Sequence, residues 1–301
     1  MSLPAGIALL AKPAGITSFQ ALGPVKKCLG TRKIGHTGTL DKFASGLLVL
    51  LVGSYTRLGS FFTALDKLYL ARMRFGEETE TLDPEGSVIA TAPAPTFEAL
   101  REAACRFRGP IQQAPPAYSA IHLDGERASD RARRGETLEM KLRPVTISKL
   151  EILDYDGRDA LVRVRCSSGT YIRSLARDLA LATASRAHLV GLERLEVGPF
   201  RLADAHAPSE IAPGELANLD PDLARRLGLS PWAITDAALD GFRKGVRLAP
   251  TDLAEISPEN GAIPGAEASP RAVFSIDGIF RGVVAVEASE LRYRFVLESS
   301  T

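Results

Sequence analysis

The loop IGHTGTLD, residues 34–41, concentrates side chains that can do chemistry. It places His36 and Asp41 beside glycines at positions 35 and 38, which permit positive φ values and a close approach of the backbone to a ligand. The apolar stretch GLLVLLVG follows closely and is typical of a buried strand or helix. A carboxylate held on such a stiff element suits nucleophilic or general-base catalysis, although an aspartate in a loop is more often a local cap.

The spacing of this loop disfavours three common kinds of site. Glycosidase-type catalysis needs a second carboxylate, and Asp83 in TETLDPEG is typical of a turn residue. GHTGTLDK lacks the GxxxxGK[ST] spacing of a phosphate-binding loop. His36 has no second histidine at ligand spacing. We therefore expect neither a carboxylate pair nor a metal centre.

The segments around the loop predict the elements that hold it. GIALLAKPAGITS indicates a strand, a turn at KPAG and a helix capped by Thr17 or Ser18, which continues to a glycine at position 30 in spite of Pro24. TFEALREAACRFRG has helical spacing. Long strands mixed with unequal helices favour an α+β fold. In KLYLARMRFG, apolar residues alternate with period two, which predicts a strand. Its residues Tyr69, Ala71, Met73 and Phe75 would lie on one face.

The composition is that of a soluble globular protein: of 301 residues, 45% are hydrophobic and 24% are charged. The 37 basic and 36 acidic residues give a net charge of +1, so any nucleic-acid surface would have to be a local patch. Three widely spaced cysteines fit no disulfide framework, and no apolar run approaches the roughly 18 residues of a membrane span. We therefore expect a cytoplasmic monomer with no membrane contact.

Six segments, in order, together resemble the TruB family of bacterial tRNA pseudouridine synthases. LLAKPAGITS resembles the family's first motif, GHTGTLDKFASGLLVLLVG its catalytic motif and KLYLARMRFGEETETLDPEG its tyrosine motif. QQAPPAYSAIHLDGERASDRARRGE resembles its RNA-contacting insertion, CSSGTYIRSLARDLA its arginine motif and LERLEVGPF the closing strand of its catalytic domain. The resemblance covers roughly residues 9–200, and six motifs in order are highly specific.

The resemblance implies an enzyme that isomerises the T-loop uridine at position 55 of tRNA to pseudouridine, with the T-arm stem-loop as partner and without a metal or a small-molecule cofactor. By position, the catalytic residues are Asp41, Tyr69 and Arg173. The histidine that enters the RNA fold is His36. The resemblance also implies substrate contacts from Lys12, Gly38, Thr39, Tyr118, Arg133 and Tyr171.

The chemistry of these side chains agrees with the implied roles. Arg173 is expected to keep Asp41 ionised in a closed pocket, because a guanidinium nearby lowers a carboxyl pKa by roughly 1–3 units. Tyr69 can stack on the target base, and its hydroxyl can relay the C5 proton. His36 can fill the space left when the uridine is flipped out of its loop.

Phosphate contacts are expected from two basic clusters, and the alternative for both is a solvated helix face. One cluster precedes the catalytic loop and comprises Lys26, Lys27, Arg32 and Lys33. The other lies in the insertion, where Glu126 and Asp130 interleave Arg127, Arg131, Arg133 and Arg134.

We predict a catalytic domain at residues 1–234, with the insertion at about 110–140, and a small β-rich PUA-like RNA-binding domain at 235–301. The predicted catalytic domain has a central, mostly antiparallel mixed sheet with flanking helices. The Pro- and Ala-rich stretch before Gly241 is interpreted as closing helices and a linker. A packing appendage is the alternative for the C-terminal domain.

Four positions depart from the family pattern and bear on RNA contact: Ala11, Lys42, Ile121 and Ser129. They leave two further functional hypotheses open. One is an RNA-binding protein that remodels tRNA folding with weak or no catalysis. The other is a sister synthase that acts on another RNA.

Overall fold

The computed structural model describes residues 4–123, 125–256, 270–287 and 290–297. Its strands are β1 (Gly6–Lys12), β2 (Ile34–His36), β3 (Ser45–Val52), β4 (Lys67–Phe75), β5 (Glu77–Thr79), β6 (Val88–Thr91), β7 (Gly109–Gln113), β8 (His122–Leu123), β9 (Glu126–Arg127), β10 (Arg143–Tyr155), β11 (Asp159–Cys166), β12 (Ala187–Val197), β13 (Phe200–Arg201), β14 (Ser230–Ile234), β15 (Leu253–Glu255), β16 (Arg271–Phe274), β17 (Phe280–Glu287) and β18 (Glu290–Val296). Its α-helices are α1 (Ser18–Leu29), α2 (Gly59–Thr63), α3 (Phe97–Arg106), α4 (Ala128–Arg133), α5 (Ile172–Leu181), α6 (Pro221–Arg226) and α7 (Asp236–Arg243).

A large mixed sheet forms the centre of the fold. Within the described ranges its strand order is β1-β3-β12-β4-β11-β10-β7, with β2 paired to β3 and β13 paired to β12. Among the described pairings of this sheet, that of β12 with β3 is parallel and the others are antiparallel. The prediction of an α+β fold with a central, mostly antiparallel mixed sheet is confirmed.

Strand β4 lies in the middle of this sheet and has the predicted alternation. Tyr69, Ala71, Met73 and Phe75 are all buried, and they pack in one hydrophobic cluster with residues of α3 and α5. Burying a large apolar side chain in such a cluster stabilises the fold by roughly 1.5–3 kcal/mol. The face of β4 that carries Tyr69 is therefore held rigidly beneath two helices.

Helix α1 has the predicted ends. Thr17 and Gln20 form a reciprocal capping box, in which each side chain accepts a hydrogen bond from the other's backbone N–H, at 3.1 and 2.8 Å. Gly30 ends the helix with φ 60°, a conformation that favours glycine. Pro24 lies on the exposed side of the helix, while the opposite side packs against β1 and β3.

A second sheet, of strand order β15-β14-β16-β17-β18, follows in the described C-terminal residues. Its strand Ser230–Ile234 lies in the stretch interpreted as helices and linker, so that part of the interpretation is wrong. The error has a physical reason: this strand is short, is flanked by α6 and α7, and is paired with β16, whose residues are distant in sequence. The β-rich C-terminal sheet itself is confirmed, while its PUA-like character stays a prediction.

The two sheets share a hydrophobic cluster. Val49 and Leu51 of β3 pack in it together with Phe274, Phe280 and Val283 of the C-terminal sheet. The division at residue 234 stays a prediction, and residues 1–3, 124, 257–269, 288–289 and 298–301 of the predicted domains lie outside the described residues. No helix in the described parts of the chain is long and apolar enough to cross a membrane.

Candidate active site

A cavity of about 460 Å³ opens where the catalytic loop meets β4, α5 and the insertion. This volume lies within the range typical of small-ligand pockets. Its lining includes the three predicted catalytic residues, which come from distant parts of the sequence: Asp41, Tyr69 and Arg173.

Arg173 forms an ion pair with Asp41 at the cavity wall. Its Nη2 donates a hydrogen bond to Oδ1 of Asp41 at 3.0 Å, and its Nε lies 3.0 Å from Oδ2. The Arg173 side chain is 6% exposed, whereas that of Asp41 is 35% exposed. The arginine is therefore enclosed by protein, whereas the carboxylate, with both oxygens facing the guanidinium, stays partly exposed.

Asp83 holds Arg173 from its other side. Oδ2 of Asp83 lies 3.3 Å from Nη1 of Arg173, and both side chains are buried. The guanidinium also donates hydrogen bonds to the carbonyls of Thr81 at 2.8 Å and Tyr118 at 3.0 Å. Asp83 is in a turn, as predicted, but its carboxylate reaches Arg173, which the sequence interpretation missed.

Gln113 fixes the start of helix α5, which carries Arg173. Its Oε1 accepts a hydrogen bond from the N–H of Tyr171 at 2.8 Å, and its Nε2 donates one to the carbonyl of Tyr171 at 3.2 Å. Because Gln113 is buried, this clamp cannot be replaced by solvent. Strand β7 therefore determines where the arginine enters the cavity.

The environment of Asp41 raises the pKa of its carboxyl overall. Burial raises the pKa of the Asp41 carboxyl above its ordinary value, and the nearby Asp83 carboxylate adds to the increase. The Arg173 guanidinium opposes both effects without cancelling them. Arg173 does lower this pKa, as expected, but desolvation outweighs the ion pair, so the net shift of the pKa is upward.

Tyr69 lines the cavity beside a second buried arginine. Arg194 is its direct cross-strand neighbour on β12, and only 2% of Arg194 is exposed. Burial raises the pKa of the Tyr69 phenol, while the Arg194 guanidinium pulls this pKa down. The hydroxyl is therefore neutral at rest, with a cation positioned to stabilise negative charge on its oxygen.

Arg194 also ties the catalytic loop to the sheet. Its Nε donates a hydrogen bond to the carbonyl of Leu47 at 2.8 Å, and its Nη2 donates one to the carbonyl of Gly38 at 3.0 Å. Gly46, with φ 111°, lies so close to the backbone of Arg194 that a Cβ would approach it to 2.4 Å. Sequence interpretation missed Arg194; the available signal was its position two residues from Leu192 on one face of the strand LERLEV.

The predicted substrate residues fall into two groups. Gly38, Thr39, Tyr118 and Tyr171 line the cavity, together with Ser129, one of the departures from the family pattern. The hydroxyl of Tyr118 donates a short hydrogen bond to Glu80, which orients its ring at the rim.

Three predicted substrate residues do not line the cavity: Lys12, His36 and Arg133. Lys12 is 2% exposed, and its Nζ donates to the carbonyls of Pro13 at 2.9 Å and Ile16 at 2.7 Å. Burial lowers the pKa of Lys12 to about 8. Lys12 thus stabilises the KPAG turn from inside.

His36 and Arg133 have different environments. His36 is half-buried at the end of β2, and its Nδ1 has no hydrogen-bond partner among the described residues. Burial and the nearby Arg194 lower the pKa of its imidazole, so the ring is neutral at neutral pH. Arg133 is exposed on α4 and pairs with Asp130 at 3.0 Å.

Lys42, another departure, pairs with Glu85 at 3.3 Å across the loop that carries Asp83. Both side chains are about half exposed. An exposed pair of this kind is worth at most about 1 kcal/mol, so it adds little rigidity to the catalytic loop.

The described residues contain no group of three or more His, Cys, Asp or Glu side chains that could hold a metal ion. What the cavity does offer is one partly exposed carboxylate, two buried guanidinium groups and a neutral phenol. Such a set can hold an uncharged planar group, stabilise an anion and move a proton.

The chain is similar to several known proteins. A family model described as TruB family pseudouridylate synthase (N terminal domain) matches residues 26–172. A protein of Treponema pallidum named tRNA pseudouridine synthase B is 45% identical over 235 residues, which span 70% of this chain and 64% of that protein. The matched part is thus less than two thirds of the length of that relative.

Two other relatives are covered more fully. Proteins of the same name from Borreliella burgdorferi and Mycobacteroides abscessus are 45% and 40% identical. The matches span 71% and 83% of this chain, and 77% and 86% of the respective relatives.

Solved structures show the same fold at low identity. A chain in the structure of an H/ACA RNP bound to a substrate RNA containing 2'-deoxyuridine superposes with a TM-score of 0.71 at 22% identity, over 99% of this chain and 86% of that chain. A Cbf5-Nop10-Gar1 complex gives a TM-score of 0.69, also at 22% identity, over 98% of this chain and 86% of that chain. Because two relatives at 45% and 40% identity are covered over more than two thirds of their length, the chain belongs to the TruB family of pseudouridylate synthases.

Proposed function

We propose that the protein isomerises the T-loop uridine of tRNA to pseudouridine, acting as a cytoplasmic monomer on the T-arm. The observation that carries the proposal is the Arg173–Asp41 ion pair, which places a partly exposed carboxylate in the wall of a cavity that Tyr69 also lines. The names of the relatives support tRNA as the substrate class.

The proposed reaction exchanges two bonds on one nucleoside. The bond from ribose C1′ to N1 breaks, a bond from C1′ to C5 of the same base forms, C5 loses a proton, and N1 gains one. Atoms and electrons balance within the nucleoside and solvent. Asp41 is the carboxylate that begins this exchange, and Arg173 maintains its position and its charge.

Tyr69 is proposed to act after the base is rejoined. Its ring forms the face on which the uracil rests. Its hydroxyl gives its own proton to solvent, and the resulting phenolate accepts the proton that leaves C5. The adjacent Arg194 stabilises the oxygen as the proton moves. His36, a neutral ring on the strand that enters the catalytic loop, is proposed to occupy the space vacated by the flipped uridine.

The test uses an unmodified tRNA transcript incubated with the protein, followed by mapping of pseudouridine along the whole RNA. We expect one modified site, at the T-loop uridine. Modification of a different uridine in tRNA would contradict the proposed position. Modification of another RNA and not of tRNA would contradict the proposed substrate. No modification of any RNA, with binding retained, would reject the proposed activity.

A further inference from the structure

The exposed side of α1 and the residues that follow it form a surface that we call the α1 face, defined by Phe19, Lys26, Lys27, Arg32 and Lys33. Phe19 is 72% exposed, the highest value among the large hydrophobic residues of the described chain. Nζ of Lys26 lies 4.8 Å from the centroid of its ring. A bare aromatic ring beside cations is a recurring feature of surfaces that bind single-stranded nucleic acid.

The charge of this surface is uncompensated. Residues 1–40 contain five Lys or Arg and no Asp or Glu, in a chain whose total is nearly balanced. Within the described ranges, none of the four cations of the α1 face forms an ion pair with a carboxylate. Their field is therefore directed outward.

The insertion, the other predicted basic cluster, differs in this respect. Arg134 pairs with Glu126 and Glu136, and Arg133 pairs with Asp130. A phosphate would have to displace these carboxylates before it could pair with the arginines. The α1 face requires no such exchange.

Helix geometry separates the α1 face from nearby acidic groups. Helix α1 buries Ala21, Leu22, Val25 and Leu29, so Phe19 and Lys26, seven residues apart, share one edge of its exposed side. Cys28 lies at the opposite edge, where its Sγ contacts the carbonyl of Ser209 at 3.6 Å. The carboxylate of Glu210 accepts a hydrogen bond from the N–H of Ala207, in the segment at that far edge.

The α1 face is joined to the catalytic loop at both ends. At the start of α1, Oγ of Ser18 accepts a hydrogen bond from the N–H of Leu40 at 2.8 Å and lies 3.0 Å from its carbonyl, immediately before Asp41. At the other end, Arg32 and Lys33 lead directly into β2 and His36. The α1 face is thus tied to the loop that lines the cavity, although none of its own residues lines the cavity.

We propose that the α1 face binds the sugar-phosphate backbone next to the flipped uridine, with the Phe19 ring against an unstacked base. This inference rests on the proposed function, because it takes the cavity to hold a uridine. RNA is favoured over an acidic protein because it offers both phosphates for the four cations and a base for the exposed ring.

The first test is the salt dependence of binding to a T-arm stem-loop. A variant with Lys26→Gln, Lys27→Gln, Arg32→Gln and Lys33→Gln is compared with wild type. A control variant carries Arg106→Gln, Lys149→Gln, Arg158→Gln and Arg163→Gln, which removes four charges from other exposed positions. Each lost phosphate contact reduces the slope of log K against log salt by about 0.7–0.9, so we expect a reduction of about 3 for the α1 variant and little change for the control. Equal slopes in the two variants would overturn the proposal.

The second test isolates the ring. Phe19→Ala is expected to weaken binding about tenfold and Phe19→Tyr to leave it within about twofold, because both aromatic rings can stack on a base. Ile89→Ala, at another position that is 61% exposed, serves as the control. An effect of Phe19→Ala equal to that of Ile89→Ala would reject stacking.

Release of tritium from uridine C5, measured on the same RNA, distinguishes failure of the proposed α1 face from failure of the proposed function. Release by wild type with equal slopes in the two quadruple variants would reject the α1 face and keep the proposed function. Unequal slopes without release by wild type would support the α1 face as an RNA site and reject the proposed function.

Discussion

Arg173 and Asp41 meet with both carboxylate oxygens 3.0 Å from guanidinium nitrogens, although 132 residues separate them in the chain. The contact joins the catalytic loop to the first turn of α5. Because Arg173 is enclosed and also pairs with the buried Asp83, it acts as a fixed brace between two carboxylates. The position of the Asp41 carboxylate therefore depends on the packing of α5 against the sheet.

Replacement of Arg173 tests this brace. Arg173→Met is expected to lower the free energy of unfolding by about 3–5 kcal/mol, since it leaves the buried Asp83 carboxylate without its cation. Denaturant unfolding measures the loss. The double variant Arg173→Met with Asp83→Asn should recover roughly 1–3 kcal/mol, because the orphaned charge is gone. No recovery in the double variant would show that Asp83 is not stabilised by Arg173.

Arg194 is expected to position the catalytic loop and to tune Tyr69. Arg194→Met removes the donors to the carbonyls of Gly38 and Leu47, and should lower the free energy of unfolding by about 2–5 kcal/mol. It should also raise the pKa of the Tyr69 phenol further, because the adjacent cation is lost. Phenolate absorbance as a function of pH, with Tyr69→Phe as the blank, measures this shift.

Arg194→Lys separates the two roles of this residue. It keeps the charge near Tyr69 but cannot reproduce the forked donors of the guanidinium. Compared with Arg194→Met, it should therefore restore the pKa of the Tyr69 phenol more fully than the free energy of unfolding. A phenol pKa that is the same in Arg194→Met and wild type would contradict the proposed electrostatic role.

The pH dependence of activity follows from the raised pKa of Asp41. Activity that requires the ionised carboxylate falls as pH drops through this pKa, so the acid limb of kcat/KM should lie above about 3.9, the ordinary value for aspartate. Asp83→Asn removes a like charge that raises this pKa, and should move the limb to lower pH. A limb that moves to higher pH in this variant would contradict the assignment.

Lys12 is expected to affect stability and not phosphate binding. Lys12→Gln shortens the donor that reaches the carbonyls of Pro13 and Ile16, and should cost about 1–3 kcal/mol in unfolding free energy. The salt slope of RNA binding should stay at the wild-type value. Lys27→Gln is the matched control, with an unchanged stability and a lower slope. A reduced salt slope in Lys12→Gln would contradict this prediction and show that Lys12 contacts an RNA phosphate.

The sequence predicts those features that local patterns encode. The alternation around Tyr69, the cap at Thr17 and the glycine at position 30 each determine structure within a few residues, and all three are confirmed. The grouping of Asp41, Tyr69 and Arg173 came from a family resemblance, and the structure brings these residues to one cavity.

The features that the sequence did not predict depend on contacts between residues that are distant in the chain. The local sequence around Asp83 indicates a turn, and its ion pair with Arg173 depends on the position of α5. The contact of Arg194 with Tyr69 depends on the pairing of β12 with β4. The net direction of the Asp41 pKa depends on how much water the packed cavity excludes, which no local pattern reports. Strand Ser230–Ile234 depends in the same way on a partner distant in sequence.

The central claim is that Asp41 starts the exchange of the glycosidic bond. It is tested most directly by tritium release from a T-arm stem-loop labelled at uridine C5, with wild type, Asp41→Asn and the control Asp178→Asn, which alters an arginine-paired carboxylate elsewhere on α5. We predict release by wild type and by Asp178→Asn, and no detectable release by Asp41→Asn at an RNA affinity close to that of wild type. Release by Asp41→Asn at the wild-type rate would contradict the account.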